Sequence, residues 1–303
     1  MEAYTRTDLA CESCTGSGSA GIRTAEEEAD GFRLTRLTIP EGEDARQLGK
    51  PAGNYITVMC GKIWELEEEE AERLIALLAR EIESLAGSMT GKQVDERKHL
   101  RVLMIGLGNP DITPDAVGPE TVRRVTVTRP VSAYDRSLFE SFDCAEISAF
   151  APGVFGQTGL ESVDLLDGAV KQTAPDLIVA IDALAARSCE RLAATVQLSD
   201  CGISPGSGIG NCRRAIDRRS TGVPVLSVGV PTVVDSATLV YDALAQAGIR
   251  EPDASLRQVL ENGRRFYVSP KESDRITGCV AKVLAGALNE AFGGGNIGGY
   301  YGI

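Results

Sequence analysis

The chain has a single histidine, His99, in 303 residues. That excludes a two-histidine metal centre and leaves any Ser-His-Asp or Cys-His arrangement one residue to work with. His99 comes just before the first core strand, at the amino end of the sheet, whereas α/β folds keep their chemistry beyond the carboxyl ends. Aromatic residues make up 5%, with one Trp, so the core must be built from Val, Leu, Ile and Ala. Basic residues are the minority, 31 Lys and Arg against 43 Asp and Glu, for a net charge of −12. Non-specific nucleic-acid binding needs cations that displace counterions, so no direct nucleic-acid contact is expected. No apolar run reaches the roughly 18 residues of a membrane span, and the first residues, ending in Glu26, Glu27 and Glu28, lack a secretory core. A soluble cytoplasmic protein with no membrane partner is the expectation. Eight cysteines are too dilute for a disulfide scaffold. Cys11 and Cys14 form a C-x-x-C pair, but structural zinc needs four ligands and no second pair or histidine lies near them.

What is present is α/β patterning. A β-like pair, Phe32 to Ile39 and Tyr55 to Cys60, is separated by turn residues around Gly42, Gly49 and Pro51. A helix follows, its first turns crowded with Glu67 to Glu70, its apolar face marked by Leu74, Leu78, Ile82 and Leu85. From Leu100, short apolar runs recur: Val102 to Ile105, Ile147 to Phe150, Leu177 to Ile181, Thr195 to Leu198 and Val225 to Val230. Apolar on both faces, they predict strands buried between helical layers in a mainly parallel sheet. Helices are expected at Pro114 to Arg124, Gly159 to Gln172 and Val233 to Ala247. A last one should open at Ser269-Pro270-Lys271-Glu272, with Ser as N-cap and Pro at N1.

Candidate chemistry then has to come from the strand-end loops. Gly206-Ser207-Gly208 follows a loop, not a strand, and no Lys-Ser/Thr comes after it, so it is no phosphate loop. It is a candidate substrate or oxyanion loop through its backbone N–H groups. Carboxylates are the stronger candidates. Asp182 ends the apolar run Leu177 to Ile181, where burial raises a carboxyl pKa. Asp115 opens a helix after Thr113 and Pro114. On facing ends of separate βα units the two can converge and share one proton, the arrangement that activates water against an amide. Asp111, Asp200 and Asp235 are alternates at the same end of the sheet. Arg187 is a candidate for tuning Asp182 by charge. Arg213, Arg214, Arg218 and Arg219 form a basic patch, read as a solvated face or a contact surface.

These residues stand in blocks that resemble the germination protease family of endospore-forming bacteria. The blocks are Gly106-Leu-Gly-Asn109, Thr113-Pro-Asp115-Ala-Val-Gly-Pro119, Ala151-Pro-Gly-Val-Phe-Gly156-Gln-Thr-Gly159, Asp176 to Ser188, Ser204-Pro-Gly-Ser-Gly208, Gly229 to Asp235 and Val268 to Glu272. The resemblance implies an atypical aspartic endopeptidase that degrades small acid-soluble spore proteins in the spore core. It implies a three-layer α/β/α sandwich, similar to hydrogenase maturation endopeptidases, with a small N-terminal β/α extension. The catalytic pair would be Asp115 and Asp182, with no metal or cofactor. The enzyme would be a tetrameric zymogen that removes its own N-terminal segment within Arg6-Thr-Asp8-Leu9-Ala10, cutting between Asp8 and Leu9. The expected organisation is a propeptide 1–8, a mobile segment 9–30, a peptidase domain 31–292 and a glycine-rich tail 293–303. The rivals are a metal-assisted maturation peptidase of the same fold and a non-catalytic peptide-binding protein.

Overall fold

The computed structural model describes residues 7–14, 21–92, 100–206, 213–249, 253–262 and 266–294. His99 and the tail beyond 294 lie outside them. The strands are β1 (Arg23–Ala29), β2 (Phe32–Ile39), β3 (Gly53–Met59), β4 (Arg101–Gly106), β5 (Glu146–Phe150), β6 (Leu177–Ala186), β7 (Thr195–Ser199), β8 (Val225–Asp235) and β9 (Tyr267–Val268). They form one sheet in the order β1-β2-β3-β7-β8-β6-β4-β5, with β9 paired to β8.

Strand alternation sorts the core into two layers. Val102 and Met104 of β4 and Val179 of β6 face one side, packed on Leu74, Leu78 and Ile82 of the helix Glu68–Thr90 and on Val280, Leu284 and Leu288 of the helix Ser273–Ala291. Leu103, Ile105, Ile178 and Ala180 face the other, against Val163 and Leu166 of the helix Ser162–Thr173. This is the α/β/α sandwich, and its continuous apolar strands are buried because helices cover both faces.

The expected parallel pairing holds for β5-β4-β6-β8. The other half, β1-β2-β3-β7 and its junction with β8, is antiparallel. The N-terminal extension is therefore continuous with the main sheet. Arg36 of β2 ties it to the helix Glu68–Thr90 through paired bonds to Glu81, at 2.7 and 2.8 Å.

Several boundaries move. β6 and β8 run on past the expected loop starts, pairing from Asp182↔Gly229 to Ala186↔Val234 with an irregularity between Leu184 and Ala185. Their neighbour β4 ends at Gly106, opposite Ile181, so the two continue as a ribbon beyond the sheet. Asp182 is thus a mid-strand residue at the point where β4 stops. The third helix is Ser236–Gln246, begun by Asp235 as N-cap. The last begins at Ser273 with Glu272 as N-cap and no side-chain cap bond, so Ser269 and Pro270 precede the helix and do not cap it. Segment 9–30 contains Leu9 and Ala10, both 0% exposed, and strand β1. Its acidic composition pointed to mobility, but an edge strand exposed along six of seven residues accommodates glutamates.

Candidate active site

Asp115 is held by a tight turn. After β4 the chain passes through Gly108, at φ +116°, and returns through the single turn Thr113–Asp115. A Cβ at Gly108 would lie 1.9 Å from the Asp115 carbonyl oxygen, so only glycine lets the two backbones touch. Asn109 N–H donates to Asp115 Oδ2 at 2.7 Å. The next residues enter the short helix Val117–Val122, where a Cβ on Gly118 would meet the carbonyl oxygens of Leu107 and Ile181 at 2.3 and 2.5 Å. Close approach at Gly118 draws the Asp115 turn against the end of β4 and the middle of β6.

Asp182 is 6% exposed, and its Oδ1 accepts from Ala183 N–H at 2.9 Å. Burial raises its pKa well above the ordinary 3.8, and the charges of Asp115 and Asp8 raise it further, against the Ala183 N–H. Burial also raises Asp115, opposed by Asn109 N–H and by the Arg213 guanidinium. Two carboxyls so placed do not ionise independently, and the pair retains a proton more readily than either alone. Both line a cavity of about 410 Å³, with Asp8, Leu184, Gly206 and Arg213 also in its wall.

The structure brings Asp8 to this cavity. Its N–H donates to the Ala185 carbonyl and its Oδ2 accepts from Ala185 N–H, both at 2.9 Å. Leu9 packs with Leu184, Leu192 and Val234, and Ala10 with Leu37, Ile39 and Tyr55. Glu12 is 3% exposed and accepts from the backbone N–H of Arg187 and Ser188 at 2.8 and 3.1 Å, and pairs with Arg191 at 3.2 Å. The Thr7–Glu12 stretch is therefore held by backbone and side-chain contacts to β6 and the turn that follows it, and through Ala10 to β2 and β3.

Other candidates are placed elsewhere. Arg187 donates through its backbone to Glu12, and its charge acts on Asp242; the charges bearing on Asp182 are those of Asp115 and Asp8. Asp111 accepts from Gln157 Nε2, Asp200 holds Asn54 on β3, and Asp235 caps a helix. Gly206 reaches the cavity; Ser207 and Gly208 lie outside the described residues. Arg213 and Arg214 pair with Glu161 and Asp164. Arg213 is a site residue that sequence reading left in a surface patch, since nothing in a run of arginines says which one turns inward. Burial raises both the Cys11 and Cys14 thiols, which disfavours a reactive thiolate. Among the described residues, no three His, Cys, Asp or Glu side chains gather as a metal site.

A family model described as germination protease matches residues 4–247. The chain belongs to the germination protease family. The germination protease of Caldanaerobacter subterraneus subsp. tengcongensis is 37% identical over 94% of this chain and 93% of its own. That of Geobacillus sp. (strain WCH70) is 41% identical over 74% of this chain and 58% of its own. Among solved structures, the [NiFe] hydrogenase maturation protease HycI from Thermococcus kodakarensis aligns with 63% of this chain and 93% of its own, at 15% identity and a TM-score of 0.34. The sheet topology, not that loose overlap, carries the fold assignment. Membership of the germination protease family makes the chain a peptidase with a role in spore germination. Among the described residues no helix is long and apolar enough to cross a membrane.

Proposed function

We propose that the chain is an endopeptidase whose paired carboxyls, Asp115 and Asp182, activate water, and that it processes itself between Asp8 and Leu9. One observation carries this reading: Asp8 lines the same cavity as the two carboxyls, while the residue after it is fully buried. One carboxyl, ionised, takes a proton from water; the other, protonated, gives one to the departing amine. Burial and the charges of Asp115 and Asp8 hold Asp182 protonated, whereas Asn109 N–H and then Arg213 oppose the effect of burial on Asp115, so Asp115 is assigned the base and Asp182 the acid. The reaction needs no metal or cofactor in this reading.

The protein substrates are small acid-soluble spore proteins in the spore core, cut at an acidic residue followed by Leu or Ile and Ala, as at Asp8-Leu9-Ala10. The zymogen form and the tetramer belong to the same reading, through the family. Intact-mass spectrometry of the purified chain, followed over time from mildly acid to neutral pH beside Asp182→Asn, tests it. Loss of residues 1–8 from the parent alone is expected. Loss from both chains places the cleavage with another residue or another protease.

A further inference from the structure

Gln197 lies in the middle of β7, opposite Thr57 of β3 and Gly229 of β8, and is 8% exposed. Its side chain spans Leu9, the residue after the Asp8–Leu9 bond. Oε1 accepts from Ala10 N–H at 2.7 Å, and Nε2 donates to the Asp8 carbonyl oxygen at 3.2 Å. Those partners fix the amide's orientation, because the reversed amide would face a donor with a donor and an acceptor with an acceptor. One side chain thus holds the two peptide groups that flank Leu9, the Asp8–Leu9 group by its carbonyl and the Leu9–Ala10 group by its N–H, as a neighbouring strand would.

The oxygen that Nε2 contacts belongs to the carbonyl that hydrolysis of the Asp8–Leu9 bond would attack. We infer that Gln197 is a catalytic residue, its Nε2–H the donor that stabilises the negative charge developing on that oxygen, in this segment and in the matching carbonyl of a substrate chain. The inference rests on the reading of Asp8–Leu9 as the cleaved bond. Water adds to the Asp8 carbonyl carbon, and one of its protons passes to the ionised carboxyl of the Asp115–Asp182 pair. The carbonyl electron pair moves onto the oxygen facing Gln197. On collapse the carbon–nitrogen bond breaks, and the protonated carboxyl gives its proton to the Leu9 nitrogen. A carboxyl group on Asp8 and an amine on Leu9 result, and the pair again holds one proton. At 3.2 Å the contact is at the long end for N–H···O, as suits a bond that tightens when charge arrives.

The Ala10 contact gives Gln197 a second task, setting which carbonyl sits before the water. The two tasks separate by substitution. Gln197→Glu keeps an acceptor for Ala10 N–H and, when ionised, loses the donor; Gln197→Met keeps the bulk and loses both.

The test follows conversion of the full chain to one beginning at Leu9 by intact mass. In parallel, kcat and KM are measured on a synthetic peptide containing Thr-Asp-Leu-Ala-Cys-Glu. At neutral pH both variants should process about 10²–10³-fold more slowly than the parent. On the peptide, Gln197→Glu should lower kcat with little change in KM, and Gln197→Met should also raise KM. Acidification protonates the introduced carboxyl and restores an O–H donor, so Gln197→Glu should recover relative to Gln197→Met, a behaviour that a purely structural role does not produce. A folded Gln197→Met chain processing at the parent's rate overturns the inference. Should that variant not fold, a Gln197→Glu chain with parental kcat at neutral pH, or without recovery in acid, overturns it instead. A parent chain that neither processes itself nor cuts the peptide overturns the reading of Asp8–Leu9 as the cleaved bond, and this inference with it.

Discussion

The sheet's parallel half, β5-β4-β6, and its antiparallel half, β1-β2-β3-β7, meet at β8, and across the antiparallel half exposure to water rises from buried β7 to the outer strands β2 and β1. Residues of β4 and β6 are buried almost throughout, with helices on both faces. β2 alternates between buried and exposed positions, and β1 is exposed nearly end to end. The parallel half contributes its chemistry where β4 stops: the Asp115 turn follows it, and Asp182 sits where β6 passes beyond it. The antiparallel half contributes side chains along its strands, above all Gln197, which touch the Thr7–Glu12 segment. The difference separates the group that reacts from the surface that sets the register. A strand end offers loops that can converge two carboxyls, whereas a strand's length offers evenly spaced contacts to an extended chain.

Removing either carboxyl from the parallel half gives the largest expected effect. Asp115→Asn and Asp182→Asn should each slow peptide hydrolysis by about 10²–10⁴-fold, measured as product per time by mass spectrometry. Activity within tenfold of the parent in either variant removes that residue from the reaction. Stability should divide along the same line. Leu103→Ala on β4, at a position 1% exposed, should lose about 2–5 kcal/mol, while Thr24→Ala on exposed β1 should stay within about 0.5 kcal/mol. Equal losses in urea unfolding would erase the contrast between the halves. Gly118→Ala lies between these, about 1–3 kcal/mol of overpacking, because the added carbon meets two backbone oxygens, one just past the end of β4 and one in the middle of β6. Its hydrolysis rate should fall with it, since the same contact seats Asp115.

The parallel half was also the more legible in sequence. Runs such as Leu177 to Ile181 carry their burial in their composition, and Asp182, one polar residue at the end of such a run, announces an unusual carboxyl. Asp115 was identifiable only beside Asp182. Where Asp182's strand would end was not legible, because three of the next four residues, Ala183, Ala185 and Ala186, are small enough for either a loop or a ribbon, and pairing with β8 decides it. The antiparallel half hid its site residues. Gln197 stands in an ordinary strand, and nothing local distinguishes a glutamine that faces solvent from one that grips another segment. Glu12 and Leu9 sit in a stretch rich in small and acidic residues, and the partners that bury them, Arg187 and Ser188 for Glu12 and Leu184, Leu192 and Val234 for Leu9, lie more than 170 residues away in sequence.

A pH series sharpens the comparison at its chemical centre. Burial and two negative neighbours hold Asp182 protonated above the ordinary carboxyl value of 3.8. In the unfolded chain the group releases its proton near that value, while the folded chain keeps it, so the folded state binds more protons over the interval between. Its stability contribution is complete below the unfolded value and declines as pH rises, by about 1.4 kcal/mol per pH unit, until Asp182 itself ionises in the folded chain. Asp182→Asn has no such decline. Its stability relative to the parent should therefore grow with pH across that window and level off beyond it, in thermal or urea unfolding followed as a pH series. Asp115→Asn removes one of the two charges that hold Asp182 high, so in that variant the decline should end at a lower pH. Parallel stability curves for the parent and Asp182→Asn would mean that Asp182 titrates like an exposed carboxyl, and the shared proton on which the mechanism depends would have to be sought elsewhere.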